Sequence, residues 1–191
     1  MRFRAVLFGG TFDPIHNAHL GIARAAMERF DPGRVLFVPA ANPPHKSHQA
    51  QAPYEDRLRM AELACASNPA FEVSRIEEGS ARSYSIDTIE RLIATGMAPP
   101  GFLIGADAFA EIESWHRWRD VVRLVEFIVV TRPGAAYKVP DGAVAHELTG
   151  LSMEVSSSEI RAKLAGGNLD VPVPSAVLQY IRTHKLYRSV G

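Results

Sequence analysis

Two rhythms of apolar residues alternate along the chain. Largely apolar runs of strand length occur at FRAVLF (3–8), RVLFVPA (34–40), GFLIGAD (101–107) and EFIVVTRPG (126–134), and FEVSRIE (71–77) reads as a further strand. Between them, apolar residues recur at helical spacing. AHLGIARAAMERF (18–30) places Leu20, Ala23, Met27 and Phe30 on one stripe, with Asn17 as the expected N-cap. YEDRLRMAELACAS (54–67) does the same with Leu58, Ala61 and Cys65, and SIDTIERLIATG (85–96) is a helix stopped by Gly96. SSSEIRAKLAGG (156–167) and PSAVLQYIRTHKLY (174–187) are the closing helices, while the Pro/Gly-containing stretch 133–142 reads as a loop.

Strand followed by helix from end to end predicts an α/β fold, a doubly wound parallel sheet. Such sheets bind ligands beyond the carboxyl ends of their strands, near the point where strand order reverses. The unusual segments lie where this rule wants them. Residues 9–19 follow the first strand, 42–46 the second, and 105–107 a later one. No internal repeat or low-complexity segment divides the chain, so residues 1–191 are expected to form a single domain.

Composition narrows the function classes. With 191 residues, 47% of them hydrophobic, the chain can bury a sizeable core, and its net charge of zero does not mark a nucleic-acid binder or a ligand for acidic membranes. No stretch approaches the ~20 apolar residues of a membrane span, and the apolar run at the N-terminus is too short for a signal peptide. The expected compartment is cytoplasmic. The lone cysteine, Cys65, excludes an internal disulfide and reads as a small buried hydrophobe. A homo-oligomer is compatible with the sequence.

The candidate chemistry starts in GGTFDPIHNAHL (9–20). Gly9 and Gly10 allow a sharp turn and a close backbone approach to a ligand. The helix behind them offers free N–H groups and a positive dipole end, which suits phosphate. No Gly-Lys-Ser/Thr follows, and there is no G-x-G-x-x-G, so neither a P-loop nor a dinucleotide fingerprint is present. His16 and His19 lie three apart and share a face of the first helical turn, where their helix-entry position suggests little core burial. No third metal ligand is nearby, so imidazoles donating to phosphate oxygens are a better reading than a zinc site. In VSSSEIRAKL (155–164), Ser156 and Glu159 form an S-x-x-E capping box. Arg161 then falls in the first turn, where a cation opposes the helix dipole unless an anion binds there.

GGTFDPIHNAHL resembles the signature of the H-x-G-H nucleotidylyltransferase superfamily, with Ala18 in place of its glycine. VSSSEIR resembles the second half of that signature, with Val155 and Ser158 as conservative departures. NPPHK (42–46), SYSIDT (83–88), GADAFAEIESW (105–115) and VVTRPG (129–134) extend the likeness, in order, to the bacterial nicotinate-nucleotide adenylyltransferase family over most of the chain. The resemblance implies a Rossmann-like domain that joins nicotinate mononucleotide to the AMP part of ATP. The products would be deamido-NAD and pyrophosphate, a step of NAD biosynthesis, with Mg2+ carried mainly by phosphates and water and no protein metal site.

It also implies a division of residues. His16, His19, Lys46 and Arg161 would serve catalysis. Gly9, Gly10, Thr11, Phe12, His19, Gly105, Asp107, Arg132, Ser156, Ser157, Ile160 and Arg161 would hold ATP, with the C-terminal helices (about 156–187) completing its site. Asn42, His45, Lys46, Tyr84, Ser85, Trp115 and His116 would hold the mononucleotide. Within that set Lys46 is expected at phosphate, and Trp115 on the nicotinate ring. Backbone amides near Tyr84, Ser85 and His116 would meet the ring carboxylate. Plainer readings stand beside these: Asp107 as a helix N-cap, Arg132 as a solvated strand-end arginine, Trp118 as a packing residue. Phosphopantetheine adenylyltransferase shares both signature halves, but SYSIDT and IESW speak against it. A class I aminoacyl-tRNA synthetase fragment would need a lysine-rich loop that VSSSEIR lacks. A non-catalytic nucleotide sensor would have no need to retain both histidines and Arg161.

Overall fold

A computed structural model describes residues 3–43, 50–131, 137–150 and 155–188. The apolar runs form β1 (Val6–Gly10), β2 (Val35–Pro39), β3 (Phe71–Val73), β4 (Gly101–Gly105) and β5 (Glu126–Val130), joined at the edge by β6 (Ala145–Leu148). They make one six-stranded sheet in the order β3-β2-β1-β4-β5-β6, and every pairing is parallel. The chain winds outward from β1 through β3, then crosses to β4 on the other side of β1. The crevice beyond β1 and β4 is therefore the switch point.

The sheet is buried on both faces, and the period of two decides which residue enters which layer. Val6, Phe8, Val35, Phe37, Leu103, Ile128 and Val130 face the layer containing α1 (Asn17–Phe30), α2 (Tyr54–Cys65), α6 (Ser157–Ala165) and α7 (Ser175–Thr183). Leu7, Leu36, Val38, Phe102, Ile104, Phe127 and Val129 face α3 (Ser85–Ala94), α4 (Ala106–Ala110) and α5 (Trp118–Leu124). Each fully buried side chain of the size of Phe37 or Leu103 contributes about 1.5–3 kcal/mol. Cys65 lies in the first layer, and burial pushes its thiol up to about 12, which keeps it an unreactive hydrophobe.

Several boundaries differ from the sequence expectation: β3 stops at Val73 and not at 77, and α7 at Thr183 and not at 187. The first strand runs 6–10 and not 3–8, so both glycines are its last residues. The N-cap of α1 is His16, in extended conformation, while Asn17 is the first helical residue. The edge strand β6 is not signalled by its sequence, AHEL, whose inner residues His146 and Glu147 break any apolar run. The described part of the expected 133–142 loop contains no helix or strand. Among the described residues, no helix is long and apolar enough to cross a membrane.

Candidate active site

A cavity of about 890 Å³ opens at the carboxyl ends of β1, β2 and β4, lined there by residues 8–11, Val38, Ala40 and residues 102–105. The glycines at its floor are explained by space and not by turning. A Cβ on Gly9 or Gly105 would meet nothing within 4 Å, so it would project into this opening. A Cβ on Gly10 would come within 3.0 Å of the Phe12 ring. The left-handed residue of the loop is Phe12 itself, with φ of 48°. Its ring is buried against Phe8, Phe37 and His19.

The opposite wall comes from the start of α3 and the segment after α4. Tyr84 is the N-cap of α3 and Ser85 its first residue, and the first N–H bonded back into the helix is that of Thr88 to the Tyr84 carbonyl. The three N–H groups before it have no intrahelical acceptor. The Tyr84 ring lies 4.4 Å from that of His116, and Trp115 packs edge-on against Phe102 at 6.1 Å. Tyr84, Ser85, Trp115, His116, Asp107, Glu111, Glu77 and Arg82 all line the cavity. Asp107 is not an N-cap: Gly105 holds that position, and Asp107 sits exposed in the first turn of α4. Asn42 is exposed, and its N–H donates to the Ser83 hydroxyl, which ties the end of β2 to the segment that leads into α3.

The two histidines stack, with ring centroids 3.6 Å apart and planes 24° from parallel. The His16 backbone N–H donates to Nδ1 of His19 at 3.2 Å, so the neutral His19 ring carries its proton on Nε2. Against the expectation of little burial, His16 is only 4% exposed, and its Nδ1 has no hydrogen-bond partner among the described residues. Burial lowers the His16 pKa to about 4. Burial, reinforced by repulsion from His16, holds His19 well below the usual histidine range. Both imidazoles are therefore neutral at pH 7.

Asp13 ties this turn to the C-terminal helices. It is 2% exposed and accepts from the backbone N–H groups of Gln51 (2.7 Å) and Ala52 (3.2 Å) and from the Tyr187 hydroxyl (2.6 Å). Arg161 donates from Nη1 to the Asp13 carbonyl at 2.8 Å and from Nη2 to the Ser158 hydroxyl at 3.2 Å. Ser157 donates to the Pro14 carbonyl at 3.0 Å, and the Ser156–Glu159 capping box closes in both directions at 3.2 Å. Arg161 is thus a partnered, mostly buried side chain beyond the first turn of α6, not a cation loose at the helix start. On the other side Arg57, 1% exposed, donates to the carbonyls of Thr11, Ala40 and Ala52 and so pins the loops after β1 and β2 together.

The expected site residues therefore fall into two adjoining groups. Gly9, Gly10, Thr11, Tyr84, Ser85, Gly105, Asp107, Trp115 and His116 share the cavity. His16, His19, Ser157 and Arg161 gather around residues 13–14, Ser156 caps the helix that carries the last two, and Phe12 joins the groups by touching His19 from the loop that floors the cavity. Ile160, 1% exposed, lies in the core beneath α6. His45, Lys46 and Arg132 lie outside the described residues. Trp118 packs on the second core layer, as a packing residue should. Asp13, Arg57, Glu77, Thr88, Tyr187 and Arg82 are the contributors that sequence reasoning missed. Asp13, Arg82 and Thr88 sat inside or beside quoted motifs, but Arg57 and Tyr187 meet their partners only across the fold.

The Cytidylyltransferase-like family model matches residues 7–163. A protein of Solibacter usitatus called "Probable nicotinate-nucleotide adenylyltransferase" is 56% identical over 188 residues, covering 96% of this chain and 99% of its own. A protein of the same name from Geotalea uraniireducens is 39% identical over 209 residues, covering 95% and 96%. The fold is shared with the nicotinic acid mononucleotide adenylyltransferase of Plasmodium falciparum solved in complex with NaAD, at a TM-score of 0.77, 18% identity and 96% coverage of each chain. With a family model over most of its length and a full-length relative of this identity, the chain belongs to the nicotinate-nucleotide adenylyltransferases of the cytidylyltransferase-like family.

Proposed function

We propose that this protein transfers the adenylyl group of ATP to nicotinate mononucleotide, releasing pyrophosphate and forming deamido-NAD. A phosphate oxygen of the mononucleotide attacks the α-phosphorus of ATP, and the bond from that phosphorus to the pyrophosphate oxygen breaks. The attacking oxygen is already ionised near neutral pH, so no general base is needed. What the site must do is align two anions and neutralise charge that develops on the α-phosphate.

The observation that carries this reading is the adjacency of the two groups. A chamber with a glycine floor and an aromatic far wall abuts a turn that holds two neutral imidazoles and a guanidinium. In the proposal, His19 donates its Nε2 proton to the α-phosphate, His16 supports it from the stacked position, and Arg161 meets the nucleotide phosphates with donors that Asp13 and Ser158 leave free. The described residues 156–187 complete the ATP site within a single domain, a role supported by the Ser157 and Arg161 contacts to residues 13–14. Gly105 and Asp107 border the ribose and adenine, with Arg132 near the base. Trp115 stacks on the nicotinate ring, Tyr84, Ser85 and His116 surround its carboxylate, and Asn42, His45 and Lys46 attend the mononucleotide phosphate. Mg2+ would supply charge neutralisation on ATP. The Asp13 carboxylate is already engaged by three donors and is not available to that ion, which in this reading is held mainly by phosphate oxygens and water. We place the reaction in the cytoplasm.

The test is pyrophosphate release from ATP and Mg2+ with nicotinate mononucleotide, nicotinamide mononucleotide and phosphopantetheine in turn. Turnover is expected with the first, far above the second. Turnover only with phosphopantetheine, or none with any acceptor, overturns the reading.

A further inference from the structure

Charge is distributed unevenly around the cavity. Its described lining carries three carboxyl side chains, Glu77, Asp107 and Glu111, and a single guanidinium, that of Arg82, with no lysine. Glu77 is occupied: one oxygen accepts from the Thr88 hydroxyl at 2.6 Å and the other from the Ala41 N–H at 3.2 Å. Asp107 and Glu111 are exposed at α4 and its C-cap, on the wall that follows β4. Arg82 stands on the wall that leads into α3. Its Nη1 donates to the Tyr84 hydroxyl at 3.1 Å, and Tyr84 packs on His116 at 4.4 Å. Arg117, exposed and next to His116 in the chain, is by contrast held by Glu90 and Asp120. Arg82 has no carboxylate partner among the described residues.

An anion entering this cavity meets two carboxylates at the α4 side. On the wall that leads into α3 it meets a guanidinium with no carboxylate partner among the described residues, close to Tyr84 and Ser85 at the helix start. We infer that Arg82 is a specificity-determining residue, reading the ring carboxylate of the acceptor and setting the preference for an acid over the corresponding carboxamide. The inference rests on the acceptor proposed above and adds to it a side chain that senses charge. A guanidinium gains a charge-assisted bond to a carboxylate that a neutral amide cannot return. The cation therefore separates the two acceptors even though their rings, riboses and phosphates are the same.

The experiment compares kcat/KM for nicotinate and nicotinamide mononucleotides, at saturating ATP and Mg2+, in wild type, Arg82→Gln, Arg82→Ala and Arg82→Lys. Arg82→Gln keeps a polar side chain at this exposed position while removing the charge, so its fold is preserved even if the alanine variant melts early. The acid-to-amide preference is expected to fall on the order of tenfold in the Gln variant, mostly through the acid substrate, as befits a charged hydrogen bond at a partly solvated site. Arg82→Lys should retain part of it, and added KCl should erode the preference of wild type more than that of Arg82→Gln. An equal loss for both acceptors, or an unchanged preference in Arg82→Gln, overturns the inference while leaving the proposed reaction standing. A wild-type protein that ignores nicotinate mononucleotide overturns the reaction itself, and this inference with it.

Discussion

Tyr187 and Asp13, 174 positions apart, are joined by a hydrogen bond of 2.6 Å from the phenolic hydroxyl to Oδ1. Burial first, and then the charge of Asp13, push the Tyr187 pKa far above its usual range, so the hydroxyl remains a donor at any working pH. The bond ties the end of the chain to the turn that carries both histidines, and the Arg161 guanidinium lies 3.7 Å from the other oxygen of the same carboxylate. The C-terminal helices are thereby clamped onto the loop after β1.

Arg161 accordingly has a structural duty as well as a proposed chemical one. A free cation near a helix N-terminus could be removed at no cost to the apo protein. The contacts with Asp13 and Ser158 reverse that expectation. Arg161→Ala should lower apo stability by about 1.5–3 kcal/mol, the range for lost hydrogen bonds to a charged group, and should also weaken ATP use. Arg161→Lys should recover only part of each. Tyr187→Phe, which removes one bond, should show a smaller fall in melting temperature. Melting curves without ligand, paired with ATP-dependent kinetics, decide the matter. An unchanged apo melting temperature for Arg161→Ala would show that the clamp carries no stability.

The histidine pair makes stability depend on pH in a definite window. His16 has a folded pKa of about 4 against an ordinary 6.5, so between these values the unfolded chain binds a proton that the folded chain refuses. The contribution of neutral burial is complete above pH 6.5 and is lost as pH falls toward 4. His16→Gln should flatten the slope of melting temperature against pH between 6.5 and 5 relative to wild type. A variant with the same slope would remove His16 as its source. At pH 7.5, His19→Ala should lower kcat by ~10²–10³, the usual cost of one preorganised donor, and near-normal kcat would make His19 a packing residue.

The two glycines that end β1 should fail in different ways. Gly9→Ala puts a methyl group into open space at the cavity floor, so the fold should survive and substrate KM should rise. Gly10→Ala pushes against the Phe12 ring, which is itself packed on His19, and overpacking of this kind costs ~1–3 kcal/mol. Thermal melts and KM values for both variants test the contrast. Equal loss of stability in the two would contradict the geometry.

The tryptophans separate in the same fashion. Trp115 is half-buried on the cavity wall, whereas Trp118 opens α5 and carries the Arg119 guanidinium over its ring at 4.4 Å. Trp115→Ala should raise KM for the mononucleotide with a small change in melting temperature. Trp118→Ala should lower melting temperature and leave KM near that of wild type. Intrinsic fluorescence quenched by the mononucleotide in wild type, and lost only in Trp115→Ala, would give the same answer by binding.

Sequence alone carried the architecture. Alternating apolar runs and helical stripes are local patterns, and the parallel doubly wound sheet, its two buried faces and the position of the site beyond β1, β2 and β4 all follow from them. The capping box at Ser156 and Glu159 is equally local, with partners three residues apart, and it closes as expected. The motif residues themselves were legible because glycine turns, paired imidazoles and a capped helix bearing an arginine are short-range combinations.

Tertiary structure decided what depends on distant partners. The edge strand β6 has four residues and, among the described residues, pairs only with β5, so its formation rests on the strand beside it and not on its own mixed sequence. Gly9 faces open space at the cavity floor, Gly10 lies under the Phe12 ring, and the left-handed conformation went to Phe12. His16 became a buried neutral base because core residues enclose it, which the exposed-looking helix entry did not announce. Asp13, Arg57 and Glu77 are buried polar side chains that are tolerable only because donors or acceptors up to 174 positions away satisfy them. A linear sequence displays the need for such a partner, but only the packed chain supplies it, because the cost of burying a polar group and the bond that offsets it arise together when the layers close.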